Sequence, residues 1–117
     1  KSVAVKTASM SATYAESLAD QYGFTVTYFE DSPTMYHAVV GGQVAACFDD
    51  TPIMASNIKD TGIGMEIVDG TGNDPAAYGF AIFNADNQEL IDMFNKGLAN
   101  IKANGTYDEI IAKYLGE

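Results

Sequence analysis

Two adjacent carboxylates, Asp49 and Asp50, end the apolar run Val44-Ala45-Ala46-Cys47-Phe48, and a lysine, Lys6, ends a second apolar run, Val3-Ala4-Val5. Acids delivered in pairs to a strand end, with an ammonium nearby, suit three kinds of chemistry. They hold a divalent metal for phosphoryl transfer, they move protons as general acid and base, or they recognise a charged ligand. Receiver and phosphohydrolase sites need a nucleophilic aspartate with further carboxylates and a separate Lys or Thr at defined strand ends. Here Lys6 closes the first strand and both acids close the third, with no positioned base, nucleophile or cofactor loop, so recognition is the favoured reading. The plainer alternatives are a turn or N-cap carboxylate for Asp50 and a solvated ion-paired lysine for Lys6.

The elements that would carry these groups alternate. Strands are expected at Ser2 to Thr7, Phe24 to Phe29, Val44 to Phe48, Met65 to Val68 and Tyr78 to Phe83. Helices are expected at Ser11 to Tyr22, from Ser32-Pro33 to Gly41-Gly42, at Pro52 to about Lys59, at Gln88 to Ala103 and at Tyr107 to Leu115. Thr51-Pro52 reads as an N-cap followed by a first helical proline, and Thr106 to Glu109 as a capping box. Gly70 to Pro75 reads as a loop or hinge. Tyr14, Tyr22, Tyr36, Phe94, Tyr107 and Tyr114 recur at helical spacing and are assigned to core faces.

Such alternation predicts an α/β fold: a three-layer α/β/α sandwich around a mostly parallel sheet of flavodoxin-like 2-1-3 order. In that order the crevice at the carboxyl ends of the first and third strands is the ligand site. Two segments then face each other, Lys6-Thr7-Ala8-Ser9-Met10-Ser11 and Asp49-Asp50-Thr51-Pro52. The first offers backbone N–H groups and a positive helix end to an anion. The second offers carboxylate acceptors to a cation, so a zwitterion satisfies both.

Composition narrows the partners. Sixteen acidic residues against six basic ones give a net charge of -10, which argues against nucleic acid or an anionic membrane surface. Every basic residue is lysine, so the chain has no guanidinium for a bidentate carboxylate clamp. One cysteine, Cys47, and one histidine, His37, supply neither a disulfide nor a zinc site. Cys47 reads as a buried small hydrophobe and His37 as structural or exposed. No metal and no cofactor is expected. The strand-like Val3-Ala4-Val5 so near residue 1 suggests a fragment of a longer precursor.

Five ordered motifs carry a resemblance: Val3-Ala4-Val5-Lys6-Thr7-Ala8-Ser9; Asp31-Ser32-Pro33-Thr34-Met35-Tyr36 with Gly42-Gln43-Val44; Asp49-Asp50-Thr51-Pro52; Tyr78-Gly79-Phe80-Ala81-Ile82; and Asn104-Gly105-Thr106-Tyr107. Over essentially its whole length the chain resembles the C-terminal half of the polar amino-acid-binding proteins of ABC importers, nearest the glutamine-binding type. The resemblance implies a type II periplasmic-binding-protein fold whose two lobes close on a free amino acid, which is handed to a permease outside the membrane. It assigns residues 1–72 to lobe 2, 73–78 to a hinge crossing and 79–117 to the end of lobe 1. The first part of lobe 1, with its aromatic platform and its arginine for the ligand α-carboxylate, is absent from the chain.

By position, the resemblance makes Asp50 the acceptor of the ligand α-ammonium and the Met10 N–H a donor to the α-carboxylate. Lys6 and Asp49 shape the side-chain pocket, and Thr7 and Ser9 of the loop after the first strand are likewise expected to bind the ligand. Asp49 replaces a histidine of one glutamine-binding branch, and Ala8 stands where many members have glycine. The expected activity is binding without catalysis of glutamine or a related amino acid, weak in this chain alone. Alternatives are a ligand-sensing domain of a receptor or kinase and a dehydratase on the same fold. The location is extracytoplasmic, through a lipoprotein anchor or a permease fusion. The resemblance also implies a gap in lobe 2, where the family's antiparallel crossing strand is missing. Tyr78 to Phe83 is expected to pair within its own chain or to be exchanged between two copies in a homodimer.

Overall fold

A computed structural model describes residues 1–73 and 77–115. The chain divides into two compact units, Lys1–Asn73 and Asp74–Glu117.

The first unit is built on a three-stranded sheet of order β2-β1-β3. The strands are β1 (Ser2–Lys6), β2 (Thr25–Phe29) and β3 (Ala46–Phe48), and both neighbours of β1 run parallel to it. As the central strand, β1 is covered on both faces: Val3, Ala4 and Val5 are all buried, the signature of an apolar run in a parallel sheet. Side chains alternate across the sheet. Val5 therefore packs on one face with Ala12 and Ala15 of helix α1 (Met10–Tyr22) and with Phe48. Ala4 lies on the other, with Met35, Tyr36 and Ala38 of α2 (Ser32–Val40), Met54 of α3 (Thr51–Thr61) and Cys47. Register pairs Ala4 with Cys47 and Val5 with Phe48, so each core continues across strands. This is the expected α/β/α layering.

Short local signals place the helix starts. Ser9 caps α1, its Oγ accepting from the Ala12 N–H at 3.1 Å. Asp31 caps α2, its carboxylate accepting from the Thr34 N–H at 2.8 Å. α3 begins one residue earlier than the sequence reading placed it: Thr51 is helical and Asp50 is the N-cap residue. At the far end of α1, Gly23 adopts φ 68° and donates its N–H to the Ala19 carbonyl, a left-handed stop that glycine takes at no steric cost.

Two expected strands are not formed. From Ile63 to Ile67 burial alternates, with Ile63, Met65 and Ile67 packed on the α2 and α3 core. The side-chain pattern of a strand is present, but no strand among the described residues pairs with Met65 to Val68. Tyr78 to Phe83 likewise joins no sheet among the described residues, which corrects the expectation that it pairs within its own chain. Residues 74–76 of the expected hinge crossing lie outside the described residues.

The second unit contains a short 3-10 turn (Ala85–Asn87), α4 (Gln88–Ala103) and α5 (Thr106–Leu115). Thr106 is already helical, and its N–H donates to the Asn104 side chain at 3.0 Å; the expected capping box at Thr106 is not formed. Phe80 stacks on Phe94 with ring centroids 4.4 Å apart, yet neither helix has a buried residue. Phe94 and Tyr114, assigned by periodicity to core faces, are exposed, as are Leu90 and Ile110. Tyr22 is exposed as well; of the six aromatic positions so assigned, Tyr36 alone is fully buried, at 1% exposure.

Ala8, at the turn between β1 and α1, has φ 55°, a left-handed conformation costing a residue with a Cβ about 1–2 kcal/mol. Glycine would remove that strain at an entropic cost of about 0.5–1 kcal/mol. Ala8→Gly is therefore expected to raise the unfolding free energy by up to about 1 kcal/mol, read from the urea midpoint at unchanged slope.

Candidate functional site

The carboxyl ends of β1 and β3 bring Lys6, Asp49 and Asp50 to one edge of the sheet. Alternation puts Lys6, like Ala4, on the α2 face, and Asp49, one past Phe48, on that same face. α2 meets them there. The Asp49 side chain is 2% exposed and both its oxygens are engaged. Oδ2 accepts from the Ser32 hydroxyl at 2.6 Å and from the Tyr36 hydroxyl at 2.8 Å. Oδ1 accepts from the Asp50 N–H at 2.9 Å and lies 3.9 Å from the Lys6 ammonium. The Lys6 Nζ also reaches the Ser32 Oγ at 3.5 Å.

A carboxylate out of water must have its lone pairs filled and its charge compensated, and this arrangement does both. The neighbours register it. Burial, followed by the hydrogen bond and charge of Asp49, pushes the Tyr36 phenol far up, so it stays protonated and a donor. Burial first, and then Asp49, push the Cys47 thiol up to about 11.

Asp50 differs from its neighbour. It occupies the N-cap position of α3, but its side chain makes no capping hydrogen bond, and it is half-buried. The ordinary use of an aspartate at this position is therefore not taken up.

In the loop after β1, the Thr7 hydroxyl donates to the Phe29 carbonyl at 3.1 Å and the Ser9 hydroxyl to the Lys6 carbonyl at 2.7 Å. With its cap bond from Ala12, Ser9 is thus occupied both as donor and as acceptor. Met10 opens α1 with its side chain exposed. Its N–H belongs to the first helical turn, where donors have no intrahelical acceptor.

All six residues singled out in the sequence therefore lie at this edge, in two roles. Thr7, Ser9 and Asp49, with Lys6 against Asp49, are engaged in fixing the local structure, while the Asp50 side chain makes no capping bond and the Met10 N–H has no intrahelical acceptor. Sequence reasoning missed Tyr36 and Ser32 as members of the cluster. The signal was the spacing: Ser32 and Tyr36 are four apart, on one face of a helix that packs against β1. No group of three or more metal-ligating side chains occurs among the described residues. A separate concavity of about 360 Å³, lined by Ala55, Ile58, Lys59, Met65, Glu66 and Ile67, contains none of these residues.

Removing the Asp49 carboxylate strands three donors, each costing about 1–3 kcal/mol when left without a partner. Asp49→Ala is thus expected to lose about 3 kcal/mol or more of stability in chemical denaturation. The raised Cys47 thiol has two readouts. At pH 8 about one thiol in a thousand is ionised, so alkylation should be far slower than for an unfolded control. An unfolded thiol ionises near about 8.5; stability held below that pH is expected to fall as pH rises toward 11, and Cys47→Ala should flatten the decline.

The comparisons with known proteins agree with one another. The profile of the bacterial extracellular solute-binding proteins, family 3, matches residues 2–117. An arginine-binding periplasmic protein of Mannheimia haemolytica is 35% identical over 81 residues, which are 67% of this chain and 34% of that protein. Substrate-binding domain 2 of Lactococcus lactis GlnP, solved in an open conformation, superposes with a TM-score of 0.73 at 41% identity, over 100% of this chain and 50% of that one. An ancestral arginine-binding protein bound to arginine gives 0.76 at 29% identity, over 98% of this chain and 50% of its own. The chain spans about half the length of these solved structures. The family consists of binding proteins, not enzymes, which sets the catalytic readings of the acidic pair aside. The chain belongs to the bacterial extracellular solute-binding proteins, family 3.

Proposed function

We propose that this chain supplies one face of an amino-acid-binding cleft in an extracytoplasmic receptor that delivers its ligand to an ABC importer. The observation that carries the reading is Asp50. Its carboxylate stands at the crevice of a 2-1-3 parallel sheet, where such folds bind ligands, and helix capping does not consume it. In this reading Asp50 accepts from the ligand α-ammonium and the Met10 N–H donates to the α-carboxylate, assisted by the positive end of α1. Lys6 and Asp49 border the side-chain end, and Thr7 and Ser9 hold the loop in shape. Residues 1–72 are one lobe, 73–78 the crossing and 79–117 the end of the other lobe. An arginine opposite, in the length that relatives have in addition, completes the clamp.

Glutamine or a related polar amino acid is the proposed ligand. The Lys6 ammonium, one-third exposed beside the buried and fully engaged Asp49, is a donor suited to the carbonyl oxygen of an uncharged side-chain amide. Arginine is the second reading, favoured by the arginine-binding relatives.

Calorimetric titration of the full-length, two-lobed protein with glutamine, asparagine, glutamate, arginine and lysine tests both. Saturable glutamine binding is expected, with Asp50→Ala weakening it on the order of 100-fold, as removal of one partner of a buried charge pair does. Tight arginine binding without glutamine binding would select the second ligand. Undiminished affinity in Asp50→Ala would remove Asp50 from the site. The 117-residue chain alone should bind weakly or not at all, and micromolar affinity there would contradict the shared cleft.

A further inference from the structure

We infer that Tyr36, with Ser32, is a positioning residue for the binding site: the two hydroxyls hold the Asp49 carboxylate, and Asp49 in turn holds the Lys6 ammonium at the edge of the sheet. The inference rests on the proposal that Lys6 borders the ligand. Nothing in the family resemblance or in the comparisons assigns a role to either hydroxyl.

The argument begins with the lysine. An ammonium on a four-carbon stem, with its side chain one-third exposed, has many rotamers and gains little from a single surface ion pair. Its contact with Asp49 is also long, at 3.9 Å. Left to themselves, the two side chains would not define a position for Nζ. What defines it is that Asp49 cannot turn: Oδ2 is fixed by two hydroxyls at 2.6 and 2.8 Å, and Oδ1 by the Asp50 N–H. Ser32 also accepts from Lys6, so it touches both ends of the pair.

Tyr36 is the rigid member. Its ring is buried at 1% exposure among Met35, Ala38, Val44 and Ala4, so its hydroxyl is carried on a fixed body. The phenol remains protonated, because burial and the adjacent carboxylate oppose its ionisation. A phenylalanine would pack equally well, and a tyrosine hydroxyl directed inward onto a carboxylate has a use beyond filling the core.

The test pairs a spectroscopic readout with a binding readout. Nitrogen-15 spectra of the lysine ammonium groups in the 117-residue chain report how Lys6 is held, without any ligand. Tyr36→Phe is expected to move the Lys6 resonance toward those of solvated lysines, and Ser32→Ala, which leaves the core untouched, to do the same. In the full-length protein, Tyr36→Phe is expected to weaken binding of the preferred amino acid roughly tenfold, because Lys6 is then less firmly placed. Unfolding midpoints of both variants accompany the titrations. An unchanged Lys6 resonance, or an unchanged affinity, in variants that retain their fold overturns the inference while leaving the binding proposal intact. An unaltered protein that binds no amino acid of the panel overturns the binding proposal, whatever the Lys6 resonance does.

Discussion

The first unit depends on one constraint, a carboxylate that has to be satisfied away from water. Asp49, one residue past β3, ties that strand end to the first two turns of α2 and to the end of β1, because its donors include Ser32 and Tyr36 of α2 and Lys6 of β1. Its fourth partner, the Asp50 N–H, belongs to the residue that opens α3. The acid therefore works as a joint between the sheet and the helices on one face. Its neighbour Asp50 commits its backbone, donating its N–H to Asp49 and accepting from the Met54 N–H, while its carboxylate makes no capping hydrogen bond. Adjacent residues of the same type, both just past the end of β3, thus acquire different chemistry from the groups that reach them.

The opposite face of β1 has a simpler logic. Val5, Ala12 and Ala15 bring α1 close to the sheet through small side chains, and the helix start is then fixed by Ser9 and by the left-handed Ala8. The two faces meet at the loop from Lys6 to Met10. One face sets where the lysine ends, the other where the first N–H groups of α1 lie, so the relative placement of a cationic and an anion-receptive group is decided by packing on both sides of a single strand.

Much of this was legible in the sequence where local patterns and tertiary packing agree. The unbroken apolar runs around Val3 to Val5 and Val44 to Phe48, together with the capping and proline signals, defined the parallel order and the edge that carries Lys6, Asp49 and Asp50. Strands at Met65 to Val68 and Tyr78 to Phe83 were not correctly read, since a strand is completed by a neighbour, and alternation reports only which side chains face a core. The split between Asp49 and Asp50 was likewise hidden, because it depends on Ser32 and Tyr36 arriving from a different helix. Ala8 shows the reverse: the family resemblance leads to an expected glycine at that position, and the structure gives the alanine a left-handed backbone angle.

The helices α4 and α5 give this 117-residue chain, taken by itself, a colloidal character that neither its charge nor its composition conveys. Leu90, Met93, Phe94, Ile110 and Tyr114 stand open to water on a chain whose net charge is -10. Apolar faces of that kind attract one another, and at low ionic strength mutual repulsion between acidic chains opposes the approach. Salt at about 0.1 M shortens the reach of that repulsion to about 10 Å and leaves the hydrophobic attraction in place. For this chain taken by itself, self-association is thus expected to depend on ionic strength.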